Sequence, residues 1–218
     1  MLSLTAQELV AMVSAWMWPF FRIASMLMVA PVFGASYVAT RVRLGLALVV
    51  TLVVAPLVPG PPPVEPLSAE GFLITGQQVL VGVTMGFALR LILAVFELVG
   101  QIIAQHMALH FASLVDPNSG VQMPMLAQFY MILALLVFLS LNGHLVALQV
   151  LAESFTVVPV AVDGIGREGF WHLALQMGWV FSSALAFALP AIAALLVVNL
   201  AFGVVTRAAP QLNIFSVG

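Results

Sequence analysis

The chain of 218 residues is 63% hydrophobic and 6% charged, with a mean hydropathy of +1.19, whereas a soluble domain carries about 25% charged residues. That composition specifies an integral membrane protein. A net charge of −2 without any block of like charge excludes electrostatic capture of nucleic acid, and the lack of cysteine excludes disulfides, thiol catalysis and thiolate metal sites.

The N-terminal "MLSLTAQELV" has no basic region and no small-residue cleavage site before the first apolar run, so it reads as part of the mature chain. Apolar runs follow at about 9–30, 42–58, 72–112, 124–158 and 171–206, and a membrane span needs roughly 20 such residues. Lipid offers the backbone no hydrogen-bond partner, and the runs lack the alternation of a barrel strand, so all of them are expected to be helical. The expected fold is all-α, a multi-helix integral membrane protein with broken helices and helical hairpins.

Between the first two runs, Arg41 and Arg43 place their end in the cytoplasm by the positive-inside rule, with the N-terminus on the other side. The link "PGPPPVEP" (59–66) is too rich in proline for a helix and reads as stiff and extended. As one helix the run 72–112 would measure about 60 Å at ~1.5 Å per residue, so it is expected to fold back or leave the bilayer. Breaks are also expected at "SLNGH" (140–144) and at Pro190. With no repeat and no shift of composition, residues 1–218 read as a single membrane-embedded domain.

Several polar residues stand where lipid should be. Arg22 and Arg90 lie within apolar runs, where a charge costs at least ~2.5 kcal/mol and therefore faces protein, water or a partner charge. Glu97 is seven residues from Arg90, on the same helical face and two turns away. Glu97, Gln101 and Gln105 form a polar stripe that suits either a pore lining or a polar subunit interface. Gly82 and Gly86 make a GxxxG step, read as helix packing in preference to a hinge.

His106 and His110 have a ligand-like spacing but lack the Glu of the zincin motif. Ser119 stands in a turn with no helix to position it as a nucleophile. The chain is therefore expected to be no enzyme and to need no cofactor or metal. At the C-terminal end, Pro210 stops the last helix just past Arg207, and Gln211 and Asn213 bring amides to a cytoplasmic-side turn expected to contact a partner.

"FASLVDPNSGVQMP" (111–124) places five turn formers, Asp116 to Gly120, between two apolar segments. Together with "PMLAQFYMILALLVFLSLNGH", "LAESFTVVP", "NLAFGVVTRAAPQLNIFSVG" and the earlier "RVRLGLALVVTLVVAP", this stretch resembles the FliR family, the export-gate proteins whose virulence-secretion counterparts are the T subunits. The wording of "NGH" and "PQLNIFSVG" favours the flagellar branch.

The resemblance implies a structural and gating subunit of the flagellar type III protein export apparatus. It implies assembly with FliP-like and FliQ-like subunits into a helical hetero-oligomeric gate in the bacterial inner membrane, at the flagellar basal body. It further implies contact with an FlhB-like switch protein and passage of unfolded flagellar export substrates. Mapped onto this sequence, the loop from about His106 to Met123 would plug the channel. Asp116, Pro117, Asn118 and Gly120 would supply the bend, and Phe111, Leu114 and Val115 the apolar seal. Family members continue past "PQLNIFSVG" with another apolar helix, so a helix beyond Gly218 is expected. The competing reading is a small-solute transporter or ion channel subunit, which would use broken helices and buried charges too but should show inverted repeats.

Overall fold

A computed structural model of the chain describes residues 6–34, 38–60, 62–107 and 124–208. Among the described residues there are six α-helices and no strand: α1 (Ala6–Val29), α2 (Thr40–Val54, prolonged by a 3-10 turn at Ala55–Leu57), α3 (Ala69–His106), α4 (Met125–Ser140), α5 (Gly143–Val157) and α6 (Arg167–Ala208). α1, α2 with its 3-10 turn, α3 and α6 are each long and apolar enough to cross a membrane, and α4 with α5 can make one further, broken span. The all-α membrane fold is as the composition requires.

The break at "SLNGH" is present, and its cause is local. Asn142 adopts the left-handed conformation, φ 56°, which Asn tolerates better than other side chains. Its amide donates to the Leu139 carbonyl at 3.1 Å, and its own carbonyl accepts from Leu145 and Val146 to start the next helix. The ring of Phe138 lies where a Cβ at position 143 would stand, so any larger residue there would have to displace that ring. α4 and α5 are bent by 68° across this point.

Of the two outcomes expected for the run from residue 72, folding back does not occur in α3, which is one helix of 38 residues, about 57 Å at ~1.5 Å per residue. Its glycines are isolated, each costing only about 1 kcal/mol against alanine, and no turn former follows them. Being longer than the ~30 Å hydrocarbon layer, α3 must extend beyond it or tilt within it. α6 likewise runs for 42 residues through Pro190, without the break expected there. The proline withdraws the donor for the Ala186 carbonyl, but transmembrane helices tolerate such a loss.

α3 begins at a built cap. The Ser68 hydroxyl accepts from the Gly71 amide at 3.1 Å, and Glu70 in the first turn complements the positive helix end.

Contacts divide the chain into two compact units, residues 1–93 with 135–178, and 94–134 with 179–218. In the first, α1 is the central helix: Trp18, Ile23, Met26 and Leu27 are buried, and the core is completed by Ala47 and Val54 of α2 and by Ala147, Leu151 and Phe155 of α5. A Cβ at Gly82 would meet the Ser25 hydroxyl and the Arg22 carbonyl, and one at Gly86 the Met26 carbonyl. The GxxxG step is thus the place where α3 lies directly on the α1 backbone, the packing role expected of it.

In the second unit the buried hydrophobic residues among those described are Val95, Val99, Ile103 and Ala104 of α3, Ala127 and Ala134 of α4, and Val180, Ala184 and Ala188 of α6. Gly100 lies against the backbone of Ala127, and Phe96 stacks on Phe187 with ring centroids 6.1 Å apart. Small residues again set the helix spacing.

Candidate assembly interface

Arg22 of α1 is completely buried and spends its donors on neutral acceptors. Nε donates to Gln78 Oε1 at 2.8 Å, Nη1 to the Ser154 carbonyl at 3.0 Å and to the Ser154 hydroxyl at 3.2 Å, and Nη2 to the Val158 carbonyl at 2.8 Å. The guanidinium also lies 4.2 Å from the ring centroid of Phe155, within cation–π range. Ser154 and Val158 are at the C-terminal end of α5, where free carbonyls and the helix dipole leave negative charge. Arg22 therefore acts as a C-terminal cap delivered from another helix. This anchor holds α1, α3 and α5 together and fixes the surface the first unit presents.

α6, most of which belongs to the second unit, is apolar and largely uncovered. Of the most apolar 18-residue stretch of α6 only 6% is buried, against 44% in α1. Trp171, Phe181, Phe187, Val197, Leu200 and Val204 are all exposed, far beyond what a monomer in water could carry. At the bend between α4 and α5, a cavity of about 490 Å³ is lined by Met26, Met85, Leu89, Phe138, Leu141 and Val150, among other apolar residues.

Polar groups punctuate these surfaces. Arg90 is exposed midway along α3, and among the described residues it makes no ion pair with Glu97. Two turns of helix separate them by about 10 Å along the axis, too far for the pairing that their shared face suggests. Glu97 is half-buried and accepts from Gln101 Nε2 at 3.3 Å, while Gln105 is exposed one turn further on. An analogous pair on α5, Gln149 Nε2 to Glu153 Oε1 at 2.8 Å, is exposed. Sequence reasoning overlooked it, although the i, i+4 spacing of an amide and an acid on an apolar helix was the signal available.

Arg207 is exposed in the last turn of α6. Its companions in the expected partner-contact turn, Pro210, Gln211 and Asn213, lie outside the described residues, as do Phe111, Leu114, Val115, Asp116, Pro117, Asn118 and Gly120. What the described residues offer is apolar helical surface with a few polar groups left open, the chemistry of helix association in a membrane.

The profile of the bacterial export proteins, family 1, matches residues 13–218. The chain is 40% identical over 219 residues to the flagellar biosynthetic protein FliR of Pectobacterium carotovorum subsp. carotovorum, covering 100% of this chain and 83% of the relative. It is 36% identical over 218 residues to the protein of the same name from Escherichia coli (strain K12), with 100% and 83% covered. For that of Bacillus subtilis (strain 168), identity is 31% over 207 residues, with 94% and 80% covered.

Proposed function

This chain belongs to the bacterial export proteins, family 1, as a member of its FliR group of flagellar biosynthetic proteins, and we propose that it is a structural and gating subunit of the flagellar protein export gate. In this reading it assembles with FliP-like and FliQ-like membrane subunits, contacts an FlhB-like switch protein and lets unfolded flagellar proteins through the bacterial inner membrane at the basal body. Its work is non-catalytic, and it needs no cofactor. The observation that carries the reading is the family match across residues 13–218.

The geometry supports it from a second direction. A membrane-length helix with almost nothing buried, and, in the first unit, the exposed Arg90 and Glu153, each suit contacts with other subunits. The polar stripe of Glu97, Gln101 and Gln105 and the turn at Arg207, Pro210, Gln211 and Asn213 are assigned to contacts of this kind. The plug assignment of residues 111–120 rests on the family resemblance. Apolar bulk beside a bend excludes water, as hydrophobic constrictions do in gated pores.

The experiment is done in the bacterium. Cells lacking this chain are expected to release no hook or filament protein, and the wild-type chain restores release. Replacing residues 111–120 with a Gly/Ser linker is expected to leave assembly intact while raising small-ion permeability. Normal release of flagellar proteins without the chain would refute the export role. An assembled but ion-tight linker variant would place the plug elsewhere.

A further inference from the structure

Left-handed backbone occurs twice among the described non-glycine residues, at Asn142 and at Val32, where φ is 74°. Asn142 suits it, since a short polar side chain tolerates the conformation, whereas a β-branched side chain crowds its own backbone there. Val32 stands just past the end of α1, in "APVFG" (30–34). Pro31 has no N–H with which to continue the α1 ladder. The chain turns back instead, and the Gly34 amide donates to the Ala30 carbonyl at 2.7 Å.

Packing explains why this backbone stays in place. Ala30 is buried, and Phe33 packs against the core of the first unit. A Cβ at Gly86 of α3 would meet the Val29 Cβ and the Ala30 amide, so α3 lies directly on the helix end. A Cβ at Gly34 would meet the Met28 and Ala30 carbonyls, so the returning backbone lies on it as well. With both ends of the turn fixed, φ at position 32 is dictated by the neighbours and not by the preference of valine. Rotation of Val32 to negative φ redirects the chain after it, which lifts Gly34 away from both carbonyls.

We propose that residues 30–34 form a strained latch on the end of α1, loaded at Val32 and held shut by the packing of Phe33 and Gly34. It opens by rotation of Val32, which breaks the hydrogen bond from Gly34 to Ala30 and frees the chain at Gly34 from α1. A residue held in this backbone region stores free energy that a suited residue would not, which brings a second arrangement of the turn closer in energy. The latch lies wholly inside the first unit and is a property of this chain, independent of the export reading.

The test is hydrogen–deuterium exchange of the full chain in isolated membranes, read at the Gly34 amide by mass spectrometry. Val32→Gly and Val32→Asn relieve the strain and are expected to slow that exchange by about fivefold or more. Truncating an ordinary half-buried valine would do the reverse. Phe33→Ala removes packing that holds the turn and is expected to speed exchange by about fivefold or more, and adding Val32→Asn to it returns the rate toward wild type. Amides in the middle of α2 serve as the reference and keep the wild-type rate in every variant. Exchange at or above the wild-type rate in both Val32→Gly and Val32→Asn overturns the strain, and a wild-type rate in Phe33→Ala overturns the role of packing. Rates that change in parallel at Gly34 and in α2 show opening of the whole fold and overturn the latch.

Discussion

At the scale of the residue, Arg22 shows how a charge is kept in an apolar setting without an acid beside it. Its donors reach four acceptors, two of them carbonyls at the end of α5 that would otherwise be orphaned. A hydrogen bond to a charged group contributes about 1.5–3 kcal/mol. Arg22→Leu is therefore expected to destabilise the chain by on the order of 3 kcal/mol, since it also strands Gln78 and the two carbonyls. Arg22→Lys keeps the charge but not the planar fork, so it should fall between the two. Thermal unfolding in detergent measures the order; an Arg22→Leu chain as stable as wild type would mean that the network is incidental. The sequence marks Arg22 as costly, yet its partners lie 56 to 136 residues away and are readable only in the fold.

Arg90 and Glu97 teach the complementary lesson. Spacing establishes that they share a face, but two side chains two turns apart have a nearer choice, and Glu97 takes Gln101 instead.

At the scale of the element, the helices were legible because apolar runs of span length have no other stable form in lipid. The break at "SLNGH" was legible too, since Asn142 supplies the left-handed residue and Gly143 the room for Phe138. Asn142→Gly should therefore be tolerated, whereas Asn142→Val should cost about 1–2 kcal/mol. Equal stability of the two variants by chemical denaturation would show that the bend does not depend on the left-handed residue. For α3 the length left folding back and leaving the bilayer both open, whereas the continuity of α6 was not legible, because a proline that punctuates a soluble chain is absorbed by a long apolar helix.

The GxxxG step makes a sharper prediction. Position 86 faces the Met26 carbonyl, the Val29 Cβ and the Ala30 amide, which are backbone or stiff, so Gly86→Leu cannot be relieved by a rotamer change. It is expected to cost about 1–3 kcal/mol or more through forced separation of α1 and α3. Gly45, with nothing within 4 Å of its Cβ position, serves as the control, and Gly45→Ala should be neutral or slightly stabilising. Matched melting temperatures for Gly86→Leu and wild type would contradict the close packing.

At the scale of the whole molecule, the division into two units was invisible in the sequence for a physical reason. The chain passes between them at 93/94, 134/135 and 178/179, inside α3, α4 and α6, so no linker or change of composition marks the boundary. The family, by contrast, was legible from short motifs in a fixed order, and the comparisons extend that likeness across residues 13–218. The surface needs its assembly to be understood: α6 exposes large apolar residues along most of its length. The central claim, that this chain is a subunit completed by other subunits, is tested most directly by the mass of the detergent-solubilised protein measured with light scattering. The chain is expected to be polydisperse and short-lived alone, and to enter one defined complex when co-expressed with its FliP-like and FliQ-like neighbours. A long-lived, monodisperse isolated chain that stays the same size in their presence would contradict it.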